Sequence, residues 1–126
     1  MPGLTYDTGA LIAAERSVRS MWALHRRVLE QGWIPTVPTP VLAQAWRGGP
    51  QPQLSRLLKG CRVDELTELQ ARTAGTFCGR AGTSDIVDAS VLVGALARGD
   101  AIVTSDPDDL FRVAEALGIA IILISP

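Results

Sequence analysis

The stretch AIVTSDPDDL, residues 101–110, joins an apolar run typical of a β-strand to an aspartate and then to a helix start. Near the amino terminus, LTYDTGAL (4–11) has the same order, with Asp7 in the position that Asp106 takes in the first stretch. Pro107 suits the first turn of a helix because proline needs no hydrogen-bond partner there. Two strand-to-helix junctions that each carry a carboxylate therefore predict an α/β protein.

Strand-like and helical segments alternate along the rest of the chain. Apolar residues recur every three or four positions over 17–31, which predicts an amphipathic helix. The last strand candidate, 119–124, is apolar throughout, as in parallel sheets that are covered on both faces. The pattern predicts an α/β sandwich with a central parallel sheet of four to five short strands flanked by helices. A chain of 126 residues supports one core, so 1–126 is predicted to be a single domain.

Composition argues against several classes of protein. The formal net charge is −1, although eleven of the twelve cationic side chains are Arg, which suits bidentate phosphate contacts. Cys61 and Cys78 lack the spacing of a zinc site or a disulfide framework, so reduced thiols are expected. No window is apolar enough to span a bilayer, and no signal-peptide pattern is present. A cytoplasmic location without membrane contact is predicted.

Four aspartates are the candidates for chemistry. Asp85 and Asp88 lie three residues apart in SDIVDAS (84–90), so both side chains are expected on one side of a helix. The neighbours of Asp88 are apolar, and a buried carboxylate costs several kcal/mol unless a partner or a cation offsets its charge. Asp7 and Asp106 both follow strands, and the carboxyl ends of parallel strands share one edge of a sheet, where ligands bind.

All of these side chains offer oxygen ligands. Oxygen donors without Cys or His favour a hard cation such as Mg²⁺ or Mn²⁺. The only histidine, His25, falls on the apolar face of the 17–31 helix and is expected to pack in the core. A simpler interpretation is open for the acids, since Asp7 and Asp106 also suit helix caps and Asp85 suits a first helical turn, with Thr83 or Ser84 as the cap.

These residues resemble the PIN-domain ribonucleases, in particular the VapC-type toxins of bacterial toxin–antitoxin pairs, over essentially the whole chain. Asp7 in TYDTGALIA matches the first acid of the family, Asp88 in VDASVLVGAL the third, and Thr104–Ser105–Asp106 the T-x-D segment with the fourth. The second family acid, usually Glu, aligns with Gln44 in TPVLAQAW. Glutamine keeps a carbonyl oxygen without the charge, which Asp85 is hypothesised to supply.

The resemblance implies a PIN-like three-layer sandwich and a Mg²⁺-dependent endoribonuclease, with Mn²⁺ as an alternative ion. Such an enzyme hydrolyses single-stranded or looped RNA as the toxin of a type II pair. The implied catalytic residues are Asp7, Asp88, Asp106 and Thr104, and the implied metal ligands are Asp7, Asp88, Asp106 and Asp85. Residues expected to support these ligands or to contact substrate are Thr8, Gln44, Asp109, Arg16 and Arg47, with Arg19 and Arg56 as further candidate phosphate contacts. The family also implies a homodimer and a cognate VapB-like antitoxin with a basic tail.

Three alternatives stay open. Because Gln44 replaces an acid, the chain is alternatively a catalytically weak or inactive PIN-fold module that binds RNA or a partner. The letters DTG (7–9) also occur in aspartic proteases, but those are all-β proteins, and the helix predicted over 17–31 disagrees with that fold. A response-regulator receiver needs a late lysine, and the only lysine, Lys59, is misplaced for it.

Overall fold

The structure, a computed structural model, describes residues 3–126. Within this range the elements are, in chain order, β1 (Leu4–Tyr6), α1 (Thr8–Glu15), α2 (Arg19–Glu30), β2 (Thr36–Pro38), α3 (Thr39–Ala45), α4 (Pro52–Leu58), β3 (Arg62–Asp64), α5 (Glu68–Ala81), α6 (Ile86–Arg98), β4 (Ala101–Val103), α7 (Pro107–Leu117) and β5 (Leu123–Ile124). None of the helices in this part of the chain is long and apolar enough to cross a membrane.

The five strands found in residues 3–126 form one parallel sheet in the order β3-β2-β1-β4-β5. The predicted central sheet of four to five parallel strands is confirmed. From β1 the chain builds outward to β2 and β3 on one side and later to β4 and β5 on the other. The crevice at the carboxyl ends of β1 and β4 is therefore the switch point at which open α/β sheets bind ligands.

The register of β1 and β4 brings the two strand-to-helix junctions together. Tyr6 pairs with Val103, and the Asp7 backbone N–H donates to the Val103 carbonyl oxygen at 3.0 Å. The residue after each strand, Asp7 on one side and Thr104 on the other, therefore lies at the same edge of the sheet. This register places the acidic residues of the first and last thirds of the chain beside one another.

Apolar side chains from the sheet and from the helices on both faces form the core. Tyr6, Leu11, Leu92 and Ile102 are fully buried within it, and burying such a side chain stabilises the fold by about 1.5–3 kcal/mol. A smaller cluster between α5 and α6 contains Ala74, Cys78, Ala89 and Val93. Cys61 and Cys78 are both free thiols, as predicted.

The parallel sheet and its helices exclude the aspartic-protease alternative, which requires an all-β fold. The strand order also differs from the 2-1-3-4-5 order of receiver domains. The helix predicted over 17–31 is α2, and His25 is buried on it, with its Nδ1 atom 2.8 Å from the Tyr6 hydroxyl. The last strand is shorter than the predicted 119–124, because only Leu123 and Ile124 pair with the three-residue strand β4.

Candidate active site

Asp7 lies between the end of β1 and the start of α1, at the sheet edge where the crevice is found, and it does not line the cavity formed by Asp85 and Asp88. Its Oδ1 accepts the Thr8 backbone N–H at 2.7 Å, and its Oδ2 accepts the Thr104 hydroxyl at 2.9 Å. Asp7 is thus the cap of α1, as the simpler interpretation expected, but its side chain is buried. Burial raises the pKa of Asp7, the two hydrogen bonds lower it, and the charges of Asp85 and Asp106 raise it further.

Thr104 connects the two strand-to-helix junctions. Its hydroxyl donates to Asp7 and accepts the Asp106 backbone N–H at 3.0 Å. The side chain is buried beneath the crevice, which leaves the hydroxyl few other partners. Thr104 therefore fixes the position of the Asp7 carboxylate relative to the backbone at the start of α7.

Asp106 occupies the cap position of α7, followed by Pro107, as the sequence predicts. Its carboxylate, however, makes no capping hydrogen bond, and the residue is exposed. The capping role therefore does not account for this side chain, which remains available to a ligand in the crevice.

Asp85 and Asp88 lie at the start of α6. Asp85 is the cap of this helix, because its Oδ1 accepts the Asp88 backbone N–H at 3.0 Å. The predictions that Thr83 or Ser84 caps the helix and that Asp85 lies inside its first turn are wrong. Asp88 is half-buried instead of deeply buried, because it lies in the first turn, and the buried run of the helix begins at Ala89.

Asp88 has the most perturbed carboxyl of the site. Burial raises its pKa from the usual 3.8 to about 7, with further contributions from the negative charges of Asp85, Asp7 and Asp109. A carboxyl with such a pKa is half-protonated near neutral pH, so it responds strongly to any positive charge brought beside it.

A cavity of about 340 Å³, the acidic cavity, opens beside Asp85 and Asp88. Asp109 lines it as well, together with Arg112, whose Nη1 lies 3.3 Å from the Asp109 carboxylate. Sequence reasoning missed Arg112 as a lining residue. Its i, i+3 spacing from Asp109 on α7 was the available signal, but such pairs are common on exposed helices and contribute little.

Gln44, the residue that aligns with the second family acid, lies on α3 beside α1. Its Oε1 accepts the Thr8 hydroxyl at 2.6 Å, so its carbonyl oxygen already has a partner. The oxygen keeps a second lone pair, but Gln44 carries no negative charge, and its amide NH₂ group only donates hydrogen bonds. Thr8 thus contacts both residues, because its backbone N–H donates to Asp7 and its hydroxyl donates to Gln44.

Among the candidate phosphate contacts, Arg16 lines a groove that reaches the crevice. Arg16, at the end of α1, lines a groove of about 480 Å³ with Gly9 and Ser105. Gly9 packs closely against Ser105 where the groove meets the crevice, because a Cβ at Gly9 would collide with the Ser105 hydroxyl unless that side chain moved. Since Ser105 separates Thr104 from Asp106, this groove begins beside the acidic residues.

The remaining candidates, Arg47, Arg56 and Arg19, contact other groups or are exposed to solvent. Arg47 is exposed and donates to the Trp46 carbonyl oxygen at 2.9 Å, just beyond the end of α3. The Arg56 guanidinium lies 4.1 Å from the centre of the Trp22 ring, and Arg19 is exposed at the start of α2.

The carboxylates fit a hard cation in their chemistry. Asp7, Asp85, Asp88 and Asp106 offer only oxygen donors, and no Lys, Arg or His side chain within residues 3–126 forms an ion pair with them. As the side chains stand, no three His, Cys, Asp or Glu residues in the described part of the chain are grouped closely enough to hold a metal ion. The donor set therefore fits Mg²⁺ in chemical type, but the carboxylates do not converge on one point in this structure.

No protein-family model matches the sequence, and neither does any curated protein. Several solved structures have the same fold, including the following two. The VapBC2 structure from Rickettsia felis, bound to a DNA fragment from its promoter, matches with a TM-score of 0.72 and 15% identity, covering 98% of both chains. A toxin–antitoxin complex from Klebsiella pneumoniae matches with a TM-score of 0.63 and 17% identity, covering 85% of this chain and 89% of the other. These neighbours are toxin–antitoxin complexes, and the predicted PIN-like α/β fold of the chain is confirmed.

Proposed function

We propose that the chain is a Mg²⁺-dependent endoribonuclease that acts as the toxin of a type II toxin–antitoxin pair. The main support is electrostatic. Burial raises the pKa of both Asp7 and Asp88 and the charge of Asp85 raises each further, yet none of these three carboxylates has a cationic partner within residues 3–126. Unpaired carboxylates at the switch point of a parallel sheet are stabilised by a bound cation.

The residues that would hold the ion are Asp7, Asp88 and Asp106, with Asp85 supplying the charge that Gln44 lacks. Mg²⁺, or Mn²⁺ in its place, would lower the pKa of a water molecule and offset the negative charge of a phosphodiester under attack. The chain itself contributes the orientation of the ligands. Thr104 holds Oδ2 of Asp7, and the Thr8 backbone holds Oδ1, so the carboxylate cannot rotate freely.

The substrate would be single-stranded or looped RNA, because a flexible backbone can bend to bring a phosphodiester to the carboxylates. Arg16 supports this proposal, since its groove begins beside the acidic residues and offers a guanidinium and hydroxyl groups to a phosphate. The resemblance to PIN nucleases further suggests products with a 5′-phosphate and a 3′-hydroxyl.

The proposed protein partner is a VapB-like antitoxin. The fold neighbours are toxin–antitoxin complexes, one of them bound to promoter DNA. A basic tail from such a partner would complement the unpaired carboxylates of the crevice in the same way as a metal ion. The homodimer and the cytoplasmic location stay predictions.

Cleavage of a mixed RNA pool, with Mg²⁺ or with EDTA, tests the proposal. We expect cleavage by the native chain only with the metal, and its loss in Asp7→Asn. Asp108→Asn is the matched control, because Asp108 is an exposed acid in the first turn of α7 and its charge is not among those that raise the pKa of Asp7 or Asp88. Equal cleavage in EDTA, or by Asp7→Asn, would contradict the proposal.

Gln44 favours a second candidate, a PIN-fold module that binds RNA or a partner without cleaving it. Gln44, whose Oε1 accepts the Thr8 hydroxyl, is uncharged where the family has an acid. Metal-dependent binding of RNA by the native chain, with no new RNA ends under any metal, would support this alternative over the nuclease.

A further inference from the structure

A second cavity, of about 590 Å³, lies between α2 and α4. Its walls include Arg26, Arg56 and Lys59, together with Trp22, His25 and Gly60, and it shares no lining residue with the acidic cavity. The volume is in the range of pockets for small organic ligands and exceeds what a bare inorganic ion fills.

The charged side chains that line this cavity are all cationic. Three of its lining residues, Arg26, Arg56 and Lys59, are cationic, and none of its lining residues is acidic. None of these three cations forms an ion pair within residues 3–126. In a chain whose net charge is −1, a cavity with three unpaired cations is suited to an anion.

Trp22 positions the central cation. The indole Nε1 donates to the Ala14 carbonyl oxygen at 3.0 Å, which fixes the ring, and the Arg56 guanidinium stacks on it 4.1 Å from the ring centre. A stacked guanidinium keeps its N–H groups in the plane of the fork, where they are available to a planar or tetrahedral anion. Arg56 is therefore oriented before any ligand arrives.

His25 adds a neutral donor. The buried Tyr6 hydroxyl has His25 Nδ1 as its partner at 2.8 Å, so we assign the phenol proton to this bond and the imidazole proton to Nε2. In the part of the chain that the structure describes, Nε2 has no hydrogen-bond partner, although His25 is only 4% exposed. A Cβ on Gly60 would come within 3.1 Å of Nε2, so the glycine leaves this N–H open to the cavity.

We propose that this cavity binds the phosphate group of a nucleotide, presented either as a free mononucleotide or as one residue of an RNA strand. Two guanidinium groups, an ammonium group and an imidazole N–H match the oxygens of a phosphate, and the remaining volume accommodates the attached nucleoside. This site needs no metal ion and does not depend on the acidic crevice, so it stands or falls separately from the nuclease proposal.

Calorimetric titration of the intact chain in EDTA tests the site, with adenosine monophosphate and a single-stranded RNA oligonucleotide as probes. We expect saturable binding that Arg56→Gln and Arg26→Gln each weaken about tenfold. Arg27→Gln is the matched control, because Arg27 is the next residue of α2, has the same charge, is exposed and does not line the cavity. Gly60→Ala tests the Nε2 donor, because its methyl group would lie against Nε2, and is expected to weaken binding.

Binding of both probes would mean that a free nucleotide suffices, and binding of the oligonucleotide alone would identify the strand as the source of the phosphate. Either result supports the site if Arg26→Gln and Arg27→Gln differ as expected. The site is refuted if neither probe saturates or if Arg27→Gln loses as much affinity as Arg26→Gln. It is also refuted if hexaglutamate, an acidic peptide without phosphate, competes with the probes as well as a nucleotide does, because binding would then require only negative charge.

Discussion

The Thr104 hydroxyl donates to Asp7 across 97 residues of sequence, over a distance of 2.9 Å. The same oxygen accepts the Asp106 backbone N–H at 3.0 Å. One buried side chain thus connects the Asp7 carboxylate to the backbone of Asp106. Its removal tests whether that connection matters.

We expect Thr104→Val to lower the free energy of unfolding by about 1 kcal/mol and to reduce RNA cleavage. Valine has nearly the same shape, but it leaves Oδ2 of buried Asp7 without a donor. Thr104→Ser keeps the hydroxyl and should retain most of the activity. Thermal unfolding and a cleavage assay check both variants, and equal activity of the valine and serine variants would rule out a positioning role for the hydroxyl.

Metal affinity should depend on pH around neutrality. The cation binds the ionised carboxylate, and the pKa of Asp88 is raised to about 7, so protons compete with the metal below that value. We expect the affinity for Mg²⁺ to fall about tenfold between about pH 8 and about pH 6. Isothermal titration with Mg²⁺ measures this dependence, and an affinity that is constant over the range would contradict it.

Asp88→Asn should stabilise the metal-free protein at neutral and higher pH. The raised carboxyl pKa means that the folded state holds the Asp88 proton more tightly than the unfolded state does. Ionisation of Asp88 therefore opposes folding increasingly as the pH rises above 3.8, and the full effect is reached above about 7. Because the side chain is half-buried, we expect a gain on the order of 1–3 kcal/mol in EDTA near pH 8.

Below the pKa of 3.8 that Asp88 has when unperturbed, the proton is bound in both states, and the gain from Asp88→Asn should vanish. Denaturant unfolding at the two pH values measures the difference. Asp108→Asn, an exposed acid on α7, serves as the control and should show no gain at either pH. A gain that does not change with pH would point to packing instead of ionisation.

Gln44→Glu should strengthen metal binding. A glutamate can accept the Thr8 hydroxyl with one oxygen, as Gln44 does at 2.6 Å, and present the other as a charged ligand. We expect about tenfold higher affinity for Mg²⁺ and faster RNA cleavage. Ala43→Glu adds the same charge at the neighbouring exposed position of α3 and should change the affinity much less. If both variants act alike, the effect is one of net charge alone.

The parallel sheet and the position of Asp7 and Asp106 were predictable, because apolar strand runs that end on aspartate are a local pattern. The choice of cap for α6 was not, since Thr83, Ser84 and Asp85 are all good capping residues, and packing decides among them. The half-buried state of Asp88 depends on where α6 leaves the core, and the contact of Arg56 with Trp22 joins two helices. Neither is visible in local spacing.

The site residues were named from the sequence, and the structure brings Asp7, Thr104 and Asp106 into contact through hydrogen bonds. The metal ion, the RNA substrate and the role of Gln44 remain predictions. They depend on how carboxylates rearrange around a cation and on which strand enters the crevice, and neither follows from the order of residues along the chain.

The central place of β1 in the sheet has a consequence for synthesis on the ribosome. β1 is made first, but its neighbour β4 begins only at Ala101. Until β4 has emerged, one side of β1 has no strand to pair with, and Asp7 lacks the Thr104 hydroxyl. A nascent chain that stalls before this point cannot assemble the crevice, so any activity housed there would arise only after residues 101–106 have emerged.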